Sequence, residues 1–375
     1  MSCNSSVPRC EAEPLPKPPN PRVEQQLQAV LDSSVGKPDA VFAGAIAHYN
    51  TRAYRPWSGA AGLGEVAPAV AMRPRDRFRA GSILKTLLAT VTLQHVEEGA
   101  LSLDATLPAL LPASLTARVA NADRISLRML LNHTSGIPEW VTSEVEAEVA
   151  ADPGHLWSTD EELDIASRIP PSFPPGTAWK YSNTDYTLLG LVLDGLGGRP
   201  WRAQVQERVL DRLGLKDTSL PDPGDTTIAG PHAHGYQRVG DALVDLTGVD
   251  PSMAGAAGGG ALVTTAEDLG TFIEALLAGE LFARPATLAA MQTMVDAPDP
   301  SGLPHRYGLG LEEYTLPDGL TITGHAGSTA GFAAMMFRIP AADTTLITVI
   351  NTQDLFANAL DVFSPAAEVV TGMAR

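Results

Sequence analysis

Ala80-Gly-Ser-Ile-Leu-Lys-Thr86 and the apolar run Leu87-Leu-Ala-Thr-Val-Thr-Leu93 form the stretch around which this chain is organised. No proline interrupts the run and Gly99 is its first helix breaker, so the sequence predicts one buried helix beginning near Ser82. Positions three apart share a helix face, which places the Ser82 hydroxyl beside the Lys85 amine. A serine with its own base, at the helix end whose free N–H groups favour negative charge, fits a nucleophile.

The pattern alone leaves an ordinary structural interpretation open. In that interpretation Ser82 caps the helix and Lys85 extends its amine out of the core. A second serine-x-x-lysine, Ser34-Val-Gly-Lys37, lies just before Pro38 and contains Gly36, which indicates the end of a helix rather than its beginning.

Length and charge limit the class of protein. The 375 residues exceed the usual size of one core, so two lobes are expected. A formal net charge of −17 argues against nucleic acid or an anionic membrane surface as a partner. The chain contains no run of about eighteen apolar residues, so no integral membrane span is expected.

The N-terminal residues differ in composition from the rest. Cys3 and Cys10 are the two cysteines, which excludes a zinc finger or a disulfide framework in the folded body. No charged segment followed by an apolar core is present, so no signal peptide is visible. The proline-rich residues 1–21 are expected to form a disordered tether. Cys3 fits the lipidation site of a lipoprotein that lacks its leader, and a plain disordered tail is the alternative.

Strand-like runs lie towards both ends of the chain, around a middle region that is mostly helical. This order predicts an α+β fold in which helices flank one mixed antiparallel sheet and a mostly helical lobe is inserted. We expect a domain over residues 22–375, with an α/β lobe over about 22–100 and 258–375 and a helical lobe over about 101–257. The strand-like runs are Val41–His48, Ala53–Ala61, Tyr307–Glu313, Phe332–Arg338 and Thr345–Ile350. The principal expected helices are Val23–Val35, Thr159–Ile169, Thr184–Leu196, Gln204–Leu213, Thr265–Leu277 and Phe356–Met373.

A second group of polar residues, Tyr181-Ser-Asn183, comes just before the helix expected at Thr184. Side chains two residues apart in an extended segment project to the same side. A phenol near an ammonium can pass protons, because positive charge lowers its pKa. The structural alternative is a buried tyrosine beside an asparagine that caps the helix.

The third group, His325-Ala-Gly-Ser328, lies in a glycine-rich, strand-like segment. Glycine in a strand marks a close approach to the backbone, so a substrate laid along this edge would receive backbone hydrogen bonds. The Ser328 N–H facing the Ser82 N–H would supply two donors for a developing oxyanion. His325 would then lie beside the scissile bond as an electrostatic or proton-relay group, with a structural hydrogen bond as the alternative.

Ser82-x-x-Lys85, Tyr181-x-Asn183 and His325-x-Gly327, in this order and about a hundred or more residues apart, resemble the motifs of the serine penicillin-recognising enzymes. The match is to the branch that holds D,D-carboxypeptidases, class C β-lactamases, D-aminopeptidases and family VIII esterases, and it is closest to secreted actinobacterial-type D,D-carboxypeptidases. Further segments similar to family landmarks are Asp76–Arg79, Leu130–Gly136, Phe173–Thr177, Tyr181–Tyr186, Gly258–Asp268 and Tyr307–Leu311.

The resemblance implies a β-lactamase/D,D-peptidase-like fold and an acyl-enzyme mechanism without cofactor or metal. Ser82 would be acylated and then deacylated by water, with Lys85 and Tyr181 sharing the role of base. Which of these two takes the first proton stays open. Asn183 would orient Lys85 and contact the substrate, and the Ser82 and Ser328 N–H groups would form the oxyanion hole. The family also implies an extracytoplasmic location: periplasmic, lipid-anchored or secreted.

Two departures from the family pattern concern the substrate. Carboxypeptidases of this type have an arginine where this chain has Glu312 and a hydroxyl residue where it has Ala326. In those enzymes the arginine and the hydroxyl residue bind the terminal carboxylate of the substrate. Glu312 would repel such a carboxylate, which leaves Ser328 and His325 as anion contacts. The departures favour an esterase or an amine-recognising peptidase. If Glu312 points to solvent, this argument does not apply.

Other functions remain as alternatives. A true D-Ala-D-Ala carboxypeptidase or β-lactamase is the first, and a catalytically inactive penicillin-fold binding module is the second. A zinc site would use His232 and His234 with Asp241 or Asp245, but no third histidine at helical spacing accompanies the pair. The expected partner is a small ester, amide or short peptide substrate.

Overall fold

A computed structural model describes residues 17–35, 42–196, 198–240, 242–254, 262–298, 302–353 and 359–372. Lys17 Nζ donates to the Thr51 carbonyl (3.0 Å), and the Arg55 N–H donates to the Pro18 carbonyl (3.0 Å). The expected tether therefore does not extend to residue 21, because its last residues are hydrogen-bonded to the folded body. Cys3, Cys10 and the glycine run 258–260 lie outside the described residues.

Most strands of the described chain belong to one antiparallel sheet. The strands are Gly44–Thr51 (β1), Trp57–Glu65 (β2), Val70–Ala71 (β3), Phe78–Arg79 (β4), Tyr236–Val239 (β5), Ala242–Asp245 (β6), Val263–Thr264 (β7), Val295–Asp296 (β8), His305–Tyr307 (β9), Glu312–Thr315 (β10), Thr321–Thr329 (β11), Phe332–Ile339 (β12) and Thr344–Ile350 (β13). The order of strands in the large sheet is β3-β2-β1-β13-β12-β11-β10-β9-β8, while β4 pairs with β7 and β5 pairs with β6.

The segment predicted as one strand over Tyr307–Glu313 is two short strands, β9 and β10, and this prediction was wrong. A turn at Gly310, whose φ of +77° is in the left-handed region, reverses the chain between them. The strands β12 and β13 agree with their predicted positions to within one residue. The hairpin of β5 and β6 was not predicted, because its residues lack a clear alternation of apolar and polar side chains.

The helices are Pro21–Val35 (α1), Leu84–Glu97 (α2), Leu107–Leu110 (α3), Ala113–Thr116 (α4), Leu127–Leu131 (α5), Ser143–Ala151 (α6), Thr159–Ser167 (α7), Asn183–Asp194 (α8), Trp201–Val205 (α9), Ala266–Leu277 (α10), Pro285–Met291 (α11) and Leu360–Thr371 (α12). A π-helical segment, Gln206–Asp211, continues α9. Over the described ranges, no helix combines the length and the apolar character needed to span a bilayer.

Two apolar layers lie on the two faces of the sheet. On one face α1 and α12 pack through Leu27, Leu31 and Phe363 against buried residues of the central strands. On the other face α2 and α10 pack, followed by the helical region that contains α5, α8 and α9. The expectation of an α+β fold, with a sheet flanked by helices, is confirmed. The nucleophile candidate lies on the second face, where the turn Gly81–Ile83 that precedes α2 contacts β11.

Candidate active site

Ser82 lies in a tight turn at the start of the central helix. Gly81–Ile83 form one 3₁₀ turn that leads directly into α2. Gly81 has a φ of +56°, a conformation that glycine adopts without steric cost, so the small residue before Ser82 has a structural reason. The predicted helix beginning near Ser82 is therefore confirmed, with a tighter first turn than expected. Ser82 itself is half-buried and thus accessible on one side.

The first two sequence motifs meet at the amine of Lys85. Lys85 Nζ donates hydrogen bonds to Ser82 Oγ (3.0 Å) and to Asn183 Oδ1 (2.7 Å). Lys85 is fully buried, so the alternative in which its amine leaves the core for solvent is wrong. A base candidate is thus held within hydrogen-bond distance of a nucleophile candidate and is oriented by a third side chain.

The protonation of Lys85 is set by burial and by nearby carboxylates. Burial lowers the pKa of Lys85 from 10.5 to about 8, because the ammonium loses its hydration. Negative charge on Glu139, Glu312 and Asp185 opposes this shift. A useful fraction of the amine is therefore neutral near pH 8, and a neutral amine can accept a proton.

Tyr181 lies next to this pair, with Lys85 Nζ 5.0 Å from its ring centroid. Burial raises the pKa of the Tyr181 phenol well above 10, and proximity of the Ser82 hydroxyl only partly opposes this. The buried Tyr181 Oη makes no hydrogen bond of regular geometry to a described atom, so its contact with Ser82 is one of proximity. Of the two candidate bases, the amine is the one whose basic form exists at neutral pH.

A buried pair, His133 and Asp185, supports the Tyr181 ring. His133 Nδ1 lies 3.0 Å from Asp185 Oδ2, and both side chains are fully buried. Asp185 Oδ1 accepts from the Ser135 hydroxyl (2.5 Å), and the His133 ring packs 4.4 Å from the Tyr181 ring. Burial raises the pKa of Asp185 and lowers that of His133. The pair packs against Tyr181 and limits the positions of its ring.

The third motif lies on β11, in contact with the nucleophile turn, the turn Gly81–Ile83 that carries Ser82. A Cβ on Gly327 would lie 2.0 Å from the Ala80 carbonyl oxygen, and a Cβ on Gly81 would lie 2.6–2.8 Å from backbone atoms of Ser328. These two glycines allow the strand and the turn to touch. The Ser328 backbone therefore lies beside the turn that carries Ser82. The Ser328 hydroxyl, in contrast, donates to the Gln353 carbonyl.

His325 is buried beneath the site as a neutral hydrogen-bonding group. Its Nε2 lies 2.8 Å from the Tyr307 hydroxyl, and its Nδ1 lies 2.5 Å from the Ala326 carbonyl oxygen. Because a carbonyl only accepts, Nδ1 carries the proton and Nε2 accepts from Tyr307. Burial lowers the pKa of His325 to about 3. We therefore expect no positive charge from His325 for a substrate anion.

Glu312 is buried and does not point to solvent. Its Oε2 accepts from the Ala326 N–H (2.7 Å) and lies 3.9 Å from His325 Nδ1. Backbone pairing between β10 and β11 ends at Gly324, so the Ala326 N–H that donates to Glu312 lies on the part of β11 beyond the paired residues. The Ser328 N–H, two residues on, faces the same edge. The solvent alternative for Glu312 was therefore wrong.

Sequence reasoning missed two acidic side chains of the site, Glu139 and Asp185. Glu139 accepts from the Asn183 backbone N–H (2.8 Å) and from Asn183 Nδ2 (2.9 Å). The available signal for Glu139 was a single acid between two apolar residues, Pro138 and Trp140. For Asp185 it was an acid in the first turn of a helix, which usually indicates helix stabilisation.

The histidines of the zinc alternative form a ring stack at the surface. The His232 and His234 rings lie 5.4 Å apart and nearly parallel, and His234 Nδ1 lies 2.7 Å from Asp245 Oδ2. Asp241 lies outside the described residues. Over the described part of the chain, no three histidine, cysteine or acidic side chains group as a metal site.

Comparison with known proteins gives consistent results. A family model described as Beta-lactamase matches residues 35–366. The chain is 30% identical over 219 residues to Esterase EstB of Burkholderia gladioli, covering 56% of this chain and 55% of the esterase. It is 24% identical over 339 residues to the D-alanyl-D-alanine-carboxypeptidase/endopeptidase AmpH of Escherichia coli strain K12, covering 86% and 83%. A solved D-stereospecific amidohydrolase from Streptomyces sp. superposes with a TM-score of 0.80 at 28% identity, over 91% of this chain and 97% of that one.

Proposed function

Because the chain belongs to the beta-lactamase family, we propose that it is a serine hydrolase acting through an acyl-enzyme on a small ester or amide. The expected β-lactamase/D,D-peptidase-like fold is confirmed by superposition on a solved amidohydrolase. The alignment spans about half of the esterase relative, so the activity proposed here rests mainly on the site. The observation that carries it is the pair of hydrogen bonds from Lys85 Nζ to Ser82 Oγ and to Asn183 Oδ1.

In the proposed reaction, neutral Lys85 takes the Ser82 proton as Oγ attacks the substrate carbonyl carbon. The backbone N–H groups of Ser82 and Ser328 hold the oxyanion, which a low-dielectric site stabilises strongly. As the ester or amide bond breaks, the proton passes to the leaving oxygen or nitrogen, either from Lys85 or through the Tyr181 hydroxyl. Water then attacks the acyl-enzyme, giving its proton to Lys85, and Ser82 leaves protonated.

Glu312 supports substrates without a terminal carboxylate. Its carboxyl group accepts a hydrogen bond from the Ala326 N–H, which is the donor next to the Ser328 N–H on the same edge of β11. A substrate carboxylate placed along this edge would lie near the negative charge of Glu312, and His325 would offer no positive charge to offset it. Esters and neutral amides avoid this repulsion. The similarity to AmpH over most of the chain keeps a D-Ala-D-Ala carboxypeptidase as the second candidate.

The experiment that tests the proposal compares three substrates on the full chain: a short p-nitrophenyl ester, nitrocefin and a peptide ending in D-Ala-D-Ala. We expect ester turnover to exceed release of D-alanine, and a fluorophosphonate probe to label the wild-type chain but not Ser82→Ala. Labelling that persists in Ser82→Ala would contradict the assignment of the nucleophile. Efficient release of D-alanine would favour the second candidate, and absence of both turnover and labelling would favour an inactive binding module.

We also propose that the chain acts outside the cytoplasm, and that Cys3 carries a lipid anchor. The basis is the family resemblance together with the position of Cys3 near the start of a proline-rich segment. Metabolic labelling with a fatty-acid analogue, with Cys3→Ser as the control, tests the anchor. Equal labelling of both chains would contradict it.

A further inference from the structure

Glu139 holds Asn183 at two points. Its Oε2 accepts from the Asn183 backbone N–H (2.8 Å) and from the Asn183 side-chain Nδ2 (2.9 Å), while Oε1 accepts from the Val141 N–H (2.8 Å). Asn183 is the first residue of α8, and the Ser182 side chain does not cap this helix. Glu139 therefore supplies an anion to the N-terminus of an uncapped helix, where free N–H groups and the helix dipole favour negative charge.

This contact decides which way the Asn183 amide faces. A carboxylate only accepts hydrogen bonds, so the NH2 group of Asn183 must lie on the side of Glu139. Oδ1 is then on the opposite side, where it accepts from Lys85 Nζ (2.7 Å). An inverted amide would bring its NH2 group to the ammonium, and two donors would face each other.

The loop that carries Glu139 is itself held in place. The Pro138 carbonyl accepts from the Ser182 hydroxyl (3.2 Å) and the Thr184 hydroxyl (2.7 Å). Trp140 is fully buried against Trp157, with ring centroids 5.5 Å apart. Glu139 is thus fixed between two anchored neighbours, which limits the positions its carboxylate can take.

From these contacts we infer that Glu139 is a positioning residue for the acylation step. It orients the amide of Asn183 and, through that amide, directs the amine of Lys85 at Ser82. The inference rests on the proposed function, because it assigns Lys85 as the base of that reaction. Glu139 reaches the amine through Asn183 and needs no contact with the substrate.

The electrostatic effect of Glu139 gives this inference a specific readout. Its negative charge is the largest influence that raises the pKa of Lys85 against burial. Burial in turn raises the pKa of Glu139, while the N–H donors of Asn183 and Val141 favour its ionised form. Removing the charge moves the Lys85 titration to lower pH. A residue that only stabilised the fold would change the melting temperature and leave this titration in place.

The test compares Glu139→Gln with Glu146→Gln, a matched change of charge at an exposed position on α6. We expect Glu139→Gln to lower kcat for the ester by about tenfold or more with KM little changed, since contacts that orient a reacting group affect mainly the transition state. The acid limb of the rate profile, set by the Lys85 pKa of about 8, should move to lower pH. Glu146→Gln should match the wild type in both measurements.

Two further measurements keep the test decisive. A lysine NMR titration reports the Lys85 pKa without turnover, so it separates failure of this inference from failure of the proposed function. Glu139→Asp keeps the charge with a shorter side chain, and we expect it to lower kcat while holding the acid limb nearer its wild-type position. If Glu139→Gln is folded and its Lys85 titration and kcat equal those of Glu146→Gln, Glu139 has no positioning role. If the wild-type chain is inactive, while Glu139→Gln still moves the Lys85 titration to lower pH, the proposed function alone is overturned.

Discussion

A methyl group added at Gly327 should separate the two halves of the proposed oxyanion hole. In Gly327→Ala the new Cβ would lie 2.0 Å from the Ala80 carbonyl oxygen and 3.1 Å from the Ile83 nitrogen. Both neighbours are backbone atoms of the nucleophile turn, so no side-chain rotation relieves the clash. To bring the first distance to about 3 Å, β11 and the turn must move apart by about 1 Å. The Ser328 and Ser82 N–H groups would separate by a similar amount.

The size of the effect follows from this displacement. A misplacement of about 1 Å costs on the order of 100-fold in rate, or about 2.7 kcal/mol of transition-state stabilisation. Overpacking of this kind destabilises a fold by about 1–3 kcal/mol, which a domain of ordinary stability withstands. We therefore expect a folded protein with a much lower kcat/KM and a shift of the melting temperature of only a few degrees.

The assay measures kcat/KM for a p-nitrophenyl ester, the rate of fluorophosphonate labelling and the melting temperature. Gly248→Ala is the matched control, because a Cβ there meets no atom within 4 Å and the residue is exposed. That variant should equal the wild type in all three measurements. If Gly327→Ala is folded and keeps kcat/KM within about threefold of wild type, the oxyanion hole does not depend on this contact.

Two more substitutions test carboxyl groups of the structure. In Glu312→Gln the side-chain oxygen can still accept from the Ala326 N–H, so the variant removes the charge and keeps the hydrogen bond. We expect kcat/KM for peptides with a terminal carboxylate to rise by about tenfold relative to kcat/KM for the same peptides as amides. An unchanged ratio would contradict the proposed selectivity. Burial raises the pKa of Glu162 from 4.5 to about 8, against a hydrogen bond from Thr187, so the free energy of unfolding falls as pH rises from 4.5 through 8. Glu162→Gln mimics the protonated form, so its free energy of unfolding should exceed that of the wild type by about 3 kcal/mol at pH 7 and equal it at pH 4. Denaturant titrations at the two pH values measure this difference. If variant and wild type have equal free energies of unfolding at both pH values, Glu162 is not held neutral.

The sequence predicted those parts of the site that depend on local spacing. Ser82 and Lys85 are three apart at the start of a helix, so helix geometry alone places them side by side, and they lie 3.0 Å apart in the structure. Tyr181 and Asn183 likewise follow from a turn before a helix. The motif order then related these segments through a family resemblance, and the family is confirmed over residues 35–366. The catalytic roles of these residues stay predictions.

Contacts between segments far apart in the chain could not be predicted in the same way. Glu139 reaches Asn183 across 44 residues, and no local pattern shows that an acid in a loop will meet the N-terminus of α8. Glu312 reaches Ala326 because a turn at Gly310 divides one expected strand into two. Its burial depends on that turn, so the sequence left its direction open between substrate and solvent.

The charges around Lys85 oppose one another for a chemical reason. An ammonium with a pKa of 10.5 holds its proton at neutral pH, and burial is what frees the amine to act as a base. Burial alone would continue to lower the pKa, and an amine of low pKa accepts a proton from a hydroxyl poorly. The nearby carboxyl groups, Glu139 first among them, limit the shift and leave the pKa at about 8. The same group that directs the Asn183 amide thus also preserves the basicity of the amine, so a loss of charge at Glu139 weakens the base and misdirects it together.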